Sequence, residues 1–314
     1  VIYIMEVAPK AHRAKLCSIT KGIGLLSVSL IGVFRTIFYD PNQLSSWRMV
    51  YLIPVIIALV IGVACIFLTK ETPVYLRRRI EYLETSEEDR KKAADAAKNE
   101  AAKSGGLKAA AKYIFSHKQL KMLLIVLVLF ECAVALTGYG TETMLAYGQS
   151  DSAMNTFFIL EPIVYAVCAF FSGFLTDAVG RKKSGIIFGI IALVGEIIFI
   201  AAAVSGMNPI LLALANGIMY GGLWSFSDLL FLVVPSELAP TQMRATVLGL
   251  IQYTALSNIL LTIIIGVCYQ FIGSRMIGLL QLAFFVPLMI FVIWFVRKNL
   301  KETKDVDLNT IGQE

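Results

Sequence analysis

The chain has 314 residues, of which 57% are hydrophobic and only 16% charged, with a mean hydropathy of +0.74 and a formal net charge of +6. Soluble domains use roughly 45–50% apolar and about 25% charged residues, so this composition excludes an ordinary soluble domain and points to a membrane protein. It also excludes the familiar enzyme classes, because no HExxH, GxSxG, phosphate-binding loop or CxxC is present.

Glu6-Val7-Ala8-Pro9-Lys10-Ala11-His12-Arg13-Ala14 opens the chain and returns as Glu237-Leu238-Ala239-Pro240-Thr241-Gln242-Met243-Arg244-Ala245. Two further landmarks repeat in the same order: Arg48-Met49 in Arg275-Met276, and Lys70-Glu71-Thr72 in Lys301-Glu302-Thr303. A duplication embedded in apolar sequence predicts a transporter built from two related halves. Matching the halves places roughly 110 residues, about three and a half membrane helices, ahead of Val1.

Eight runs have the length of about 20 residues that crosses a hydrocarbon core. Runs 49–68, 246–270 and 276–296 carry no charge, while 122–141, 157–176, 186–205 and 210–235 each carry one acid: Glu131, Glu161, Glu196 and Asp228. The run 16–38 holds Lys21 and Arg35 near its ends. Five cysteines, Cys17, Cys65, Cys132, Cys168 and Cys268, lie in or at the ends of these runs without metal-like spacing, and read as packing residues.

Between the second and third of these runs in chain order the composition changes abruptly. Residues 70–121 are rich in Ala, Lys and Glu, and Ser86-Glu87-Glu88-Asp89 reads as an N-cap with an acidic first turn. Helices are expected at about 74–83, 87–103 and 107–115, with Gly105-Gly106 as a breaker; a disordered linker is the alternative. If this segment is cytoplasmic, only Arg35, Arg48 and Arg275 of the 28 basic residues lie outside, which sets the orientation by the positive-inside rule. The net charge then reports loops beside an anionic leaflet rather than a nucleic-acid partner.

Polar residues on membrane helices face the bundle interior or an aqueous cavity. Asn216, Tyr220, Trp224, Ser227 and Asp228 follow at spacings of three and four, as do Thr254, Asn258 and Thr262, while Glu131, Ala135, Gly138 and Glu142 form a third stripe. From these stripes Glu131, Gly138, Asn216, Tyr220, Trp224 and Asn258 are the candidate substrate-binding residues. Glu131, Glu161 and Asp228 are the candidates for coupling to a proton. Acids without a basic residue at the same depth favour a neutral polyol-like solute or an organic cation over an anion.

Asp177-Ala178-Val179-Gly180-Arg181-Lys182 sits between two of the runs, Glu71-Thr72-Pro73-Val74-Tyr75-Leu76 follows another, and Lys301-Glu302-Thr303-Lys304 follows the last. Together with the two E-x-A-P-x-x-x-R copies, these resemble the major facilitator superfamily, in its sugar-and-other-transporter branch, over essentially the whole chain. The resemblance implies an all-α integral membrane fold of two six-helix bundles. Residues 1–69 would hold the end of a fourth membrane helix and helices five and six, 70–118 a cytoplasmic helical linker, 119–296 helices seven to twelve, and 297–314 a cytoplasmic tail.

It further implies alternating access, a cytoplasmic gate of Glu6, Arg13, Asp177, Gly180, Arg181, Lys182, Glu237 and Arg244, and no cofactor or metal. In that gate Glu6 and Arg13 would meet Arg181 and Lys182, and Glu237 and Arg244 a matching motif in the preceding part. The expected partners are the lipid bilayer, a small-molecule substrate and a proton, with a monomer in the plasma membrane. The chain departs from the branch at Val134, Ala135, Gly140, Met144 and Leu145, where the hexose-binding amides of the seventh helix usually stand, and at Leu232 in place of a Trp. A non-transporting nutrient sensor and a cationic drug efflux carrier share the fold and are the alternatives to a proton-coupled transporter.

Overall fold

The structure is a computed structural model, and it describes residues 13–40, 42–43, 45–69, 71, 73–92, 106–206, 208–239 and 244–303. These residues are almost entirely helical and form no strand. Eight helical stretches are long and apolar enough to cross a membrane, the number expected from the apolar runs.

Several of the runs are broken. The first becomes α1 (Arg13–Leu26) and α2 (Ser29–Phe38). At the break, Ser27 and Ser29 turn their hydroxyls back onto the carbonyls of Gly24 and Leu26, which competes with the helical ladder. α3 (Trp47–Leu68) is continuous despite Pro54, and α4 (Pro73–Glu84) follows. Ser86 accepts a hydrogen bond from the Asp89 amide at 3.2 Å and starts a short helix over 87–92.

α5 (Gly106–Ser116) leads into α6 (Lys118–Thr137), which stops at Gly138 before α7 (Gly140–Ala146) continues in its direction. α8 (Asp151–Val179) is capped by Ser150, and α10 (Pro209–Asp228) by Asn208, each side chain accepting from a first-turn amide. Between them lies α9 (Arg181–Val204). After Asp228 the chain winds through a π segment, Leu229–Val233, into α11 (Val234–Leu238). Pro235 has no N–H to offer the carbonyl of Phe231, and the Val234 amide bonds instead to Leu229 five residues back. α12 (Arg244–Gln252), α13 (Ala255–Ile272) and α14 (Ser274–Asn299) complete the order.

α10 is the seam helix, packed between α8 and α9. Its glycines permit this: a Cβ on Gly217 would fall 2.8 Å from the Glu161 carbonyl, and one on Gly222 2.6 Å from the Ala192 amide. Small residues draw membrane helices together in the absence of a hydrophobic driving force. The core beneath it is apolar and sealed, with Phe130 of α6, Met219 and Phe226 of α10, and Phe285 and Met289 of α14 fully buried. α1 and α2 lie along α8, α3 packs on α2, and α5 packs on α12. The Tyr113 hydroxyl of α5 donates to the Leu238 carbonyl at 3.5 Å, and burial pushes that phenol above its ordinary range.

Candidate functional site

Polar side chains gather in four places, and the first is the turn between α8 and α9. Gly180 has φ +93° and ψ 166°, a conformation essentially reserved for glycine. That turn exposes the first amides of α9, and Glu302 fills the position: its carboxylate accepts from the amides of Arg181 at 2.7 Å and Lys182 at 3.1 Å. An anion at a helix N-terminus satisfies otherwise unpaired donors and meets the positive end of the helix dipole. The Arg181 guanidinium reaches Glu237 at 3.1 Å and Asp177 at 3.4 Å, and the Thr303 hydroxyl donates to Glu237. The Lys301 amide donates to Gln119 at 3.1 Å, which anchors the same strand of chain to the start of α6.

Five of the expected gate residues, Asp177, Gly180, Arg181, Lys182 and Glu237, are therefore brought together. The partner of Glu237 is Arg181 of the same half, where the resemblance had implied a motif in the preceding part. Glu6 lies outside the described residues; Arg13 opens α1 and Arg244 opens α12. Glu302 and Thr303 belong to the knot although the sequence marked them only as a motif.

The second place is mid-span. Asn258 of α13 donates to the Glu131 carboxylate of α6 at 3.0 Å, and Thr262 donates to the Asn258 carbonyl oxygen at 3.2 Å. These two helices, far apart in sequence, thus join two of the predicted substrate-binding residues. Glu131 and Asn258 are half-buried and Thr262 is exposed, so the group is accessible from outside the packed core.

The third surrounds the break between α6 and α7. Loss of helix there frees carbonyls, and side chains answer them: Gln281 donates to Leu136 at 2.6 Å and Tyr220 to Thr137 at 3.2 Å. The Tyr220 hydroxyl lies within electrostatic reach of Glu161, Glu196 and Glu142. Glu196 and Asn216 are 1% and 3% exposed, and one oxygen of each has no hydrogen-bond partner among the described residues. Gly138 is exposed at the break itself. The stripe expected along one face of α10 is divided: Asn216 and Tyr220 turn into the bundle, while Trp224 is 40% exposed. Drift of an α-helix relative to a spacing of four accounts for the division.

The fourth is an ion pair between Lys21 of α1 and Asp228 at the end of α10, and nothing in the local sequence of either residue marked it. A second pair, Arg35 to Asp151 at 3.4 Å, joins α2 to the start of α8, with the Arg35 guanidinium also over the rings of Tyr39 and Phe158.

The solved structure of the proton:xylose symporter XylE of the major facilitator superfamily, bound to 6-bromo-6-deoxy-D-glucose, matches 99% of this chain and 69% of the symporter's, with a TM-score of 0.63 and 18% identity. The fold is therefore that of a major facilitator transporter, a multi-pass helical membrane protein. Residues 1–314 match the model of the sugar (and other) transporter family, and the chain belongs to that family. A family of transporters leaves no enzymatic role to assign to these clusters. No curated protein matches the sequence.

Proposed function

We propose that the protein is a secondary active transporter that moves a neutral sugar or polyol across the plasma membrane by alternating access, coupled to a proton. The observation that carries the reading is the Glu131–Asn258–Thr262 group: an accessible carboxylate, amide and hydroxyl in the middle of two membrane spans. Such groups are expensive in lipid and are retained where they meet a solute or an ion. A carboxylate and an amide together accept and donate hydrogen bonds to adjacent hydroxyls, which is the chemistry a polyol requires. XylE is a proton:xylose symporter, and the fold shared with it, together with the sugar (and other) transporter family, supports the same class of substrate and coupling ion here.

The proton enters at Glu131, with Glu161 as the next candidate. The knot around Arg181 closes the cytoplasmic end in one of the alternating states, and residues 70–118 and the tail lie on the same side. The test is flux of labelled glucose, xylose and myo-inositol in vesicles holding the full-length protein. Uptake driven by an imposed pH gradient, acid outside, is expected; uptake indifferent to the gradient removes the coupling, and no flux of any neutral solute favours a sensor.

A further inference from the structure

We infer that the Lys21–Asp228 pair is a charge filter on the solute's path between α1 and α10, which admits neutral polyhydroxylated solutes and turns away uronates and amino sugars. The inference rests on the sugar-transport reading above and assigns a residue, Lys21, and a selectivity that the reading does not contain.

The side chains of Lys21 and Asp228 are 35% and 37% exposed, whereas those of the Arg181–Glu237 pair are 18% and 15% exposed, so the first pair is the less enclosed. Trp224 lies one turn before Asp228 on α10 and is 40% exposed, while its neighbours Leu223 and Phe226 are 1% and 0% exposed. Trp224 and Ser227 stand four and one positions before Asp228 on α10, so an aromatic ring and a hydroxyl are its neighbours along the helix that carries the pair. An aromatic face takes the C–H surface of a sugar ring, a carboxylate accepts from two neighbouring hydroxyls, and an ammonium donates to a third.

The π segment Leu229–Val233 begins at the residue after Asp228, and such segments concentrate at functional sites. Among the described residues neither member takes a second ionic partner, so the pair is neutral as a unit. An anion reaches Lys21 only by displacing Asp228, and a cation reaches Asp228 only by displacing Lys21. Hydroxyls bind both without separating them. Removing one member unmasks the other, so the two single variants change selectivity in opposite directions.

The experiment uses the full-length protein in vesicles and five labelled solutes: glucose, xylose, myo-inositol, glucuronate and glucosamine. The wild type is expected to move at least one neutral solute and neither charged one. Asp228→Asn should raise glucuronate flux at least tenfold, and Lys21→Gln should do the same for glucosamine. Asp228→Ser and Lys21→Met give a second route to each unpaired charge if the first variant does not insert. Binding is read independently from Trp224 fluorescence after Trp47→Phe, Trp294→Phe and replacement by Phe of any tryptophan of the full-length protein outside these 314 residues.

Variants that keep the wild-type exclusion of charged solutes, or lose neutral flux without gaining charged flux or binding, overturn the filter and leave a structural tie. Failure of the wild type to move any neutral solute, with glucuronate still quenching Trp224 in the Asp228→Asn protein alone, sinks the transport reading and retains the filter. Loss of both signals overturns both.

Discussion

A carboxylate in the middle of an apolar span carries about 2.5–3.5 kcal/mol on insertion scales, and Glu131 sets against this a single amide, that of Asn258. Glu131→Gln keeps the shape and the hydrogen bond but removes the titratable group. The expected outcome is loss of gradient-driven accumulation, with solute exchange across the vesicle membrane retained at near wild-type rates. Accumulation unchanged in size and pH dependence would transfer the coupling role to Glu161. At Gly180 the consequence of a single methyl group is plainer. Its backbone conformation costs any other residue about 1–3 kcal/mol, and a Cβ would stand 2.7 Å from the Glu302 carboxylate. Gly180→Ala is expected to lower thermal stability by that amount and to free Glu302 from the α9 amides, while Ala substitution at Gly148, where a Cβ meets nothing within 4 Å, reports the backbone cost alone. Equal losses at both positions would show that Glu302 contributes little.

Helices pack here by close approach, and α2 shows how close. A Cβ on Gly32 would lie 2.7 Å from the Ile159 amide of α8, whereas one on Gly62 of α3 meets nothing within 4 Å. Gly32→Val is expected to cost about 1–3 kcal/mol by overpacking and to lower the unfolding midpoint in detergent, with Gly62→Val within error of wild type. The spans themselves were legible in the sequence because hydropathy needs no partner: every apolar run became a helical stretch of membrane length, whether continuous or broken. The breaks inside them were not, because a serine folding its hydroxyl back at Ser27 or Ser29 changes hydropathy little, and Gly138 and Gly140 alone do not distinguish a break from a packing site. Partners were least legible of all. Lys21 finds Asp228 across 207 positions, and Gln281 finds Leu136 across 145, separations at which no local pattern survives. The knot around Arg181 was partly legible since motifs marked its members, yet the sequence does not say that Glu237 would choose an arginine in its own half. A double-mutant cycle with Arg181→Gln and Glu237→Gln is expected to return a coupling of roughly 0.5–3 kcal/mol, and strict additivity would deny the contact.

For the molecule as a whole, the asymmetry of its basic residues predicts the side of the membrane on which each loop lies. In a background without the native cysteines, a cysteine at exposed Lys91 should react with an impermeant reagent from the cytoplasmic side alone, and one at exposed Gln43 from the outer side alone. Exchange of the two faces would invert the topology, and labelling of both from one face would disprove the single span between them. One feature of α10 links the two sides of the membrane mechanically. The π turn at Leu229–Val233 spends five residues where an α-helix spends four, so everything beyond it is rotated by about 100° from the phase an unbroken helix would have. Glu237 faces Arg181 only with that extra residue in place. Removing exposed Leu232 would straighten the rod and swing the carboxylate a quarter-turn or more off its guanidinium, with Asp228 left where it is. The turn thus works as a dislocation in an otherwise regular lattice: it sets the phase between the Asp228 end and the Glu237 end of one continuous rod, and its migration by a single residue would re-time one against the other.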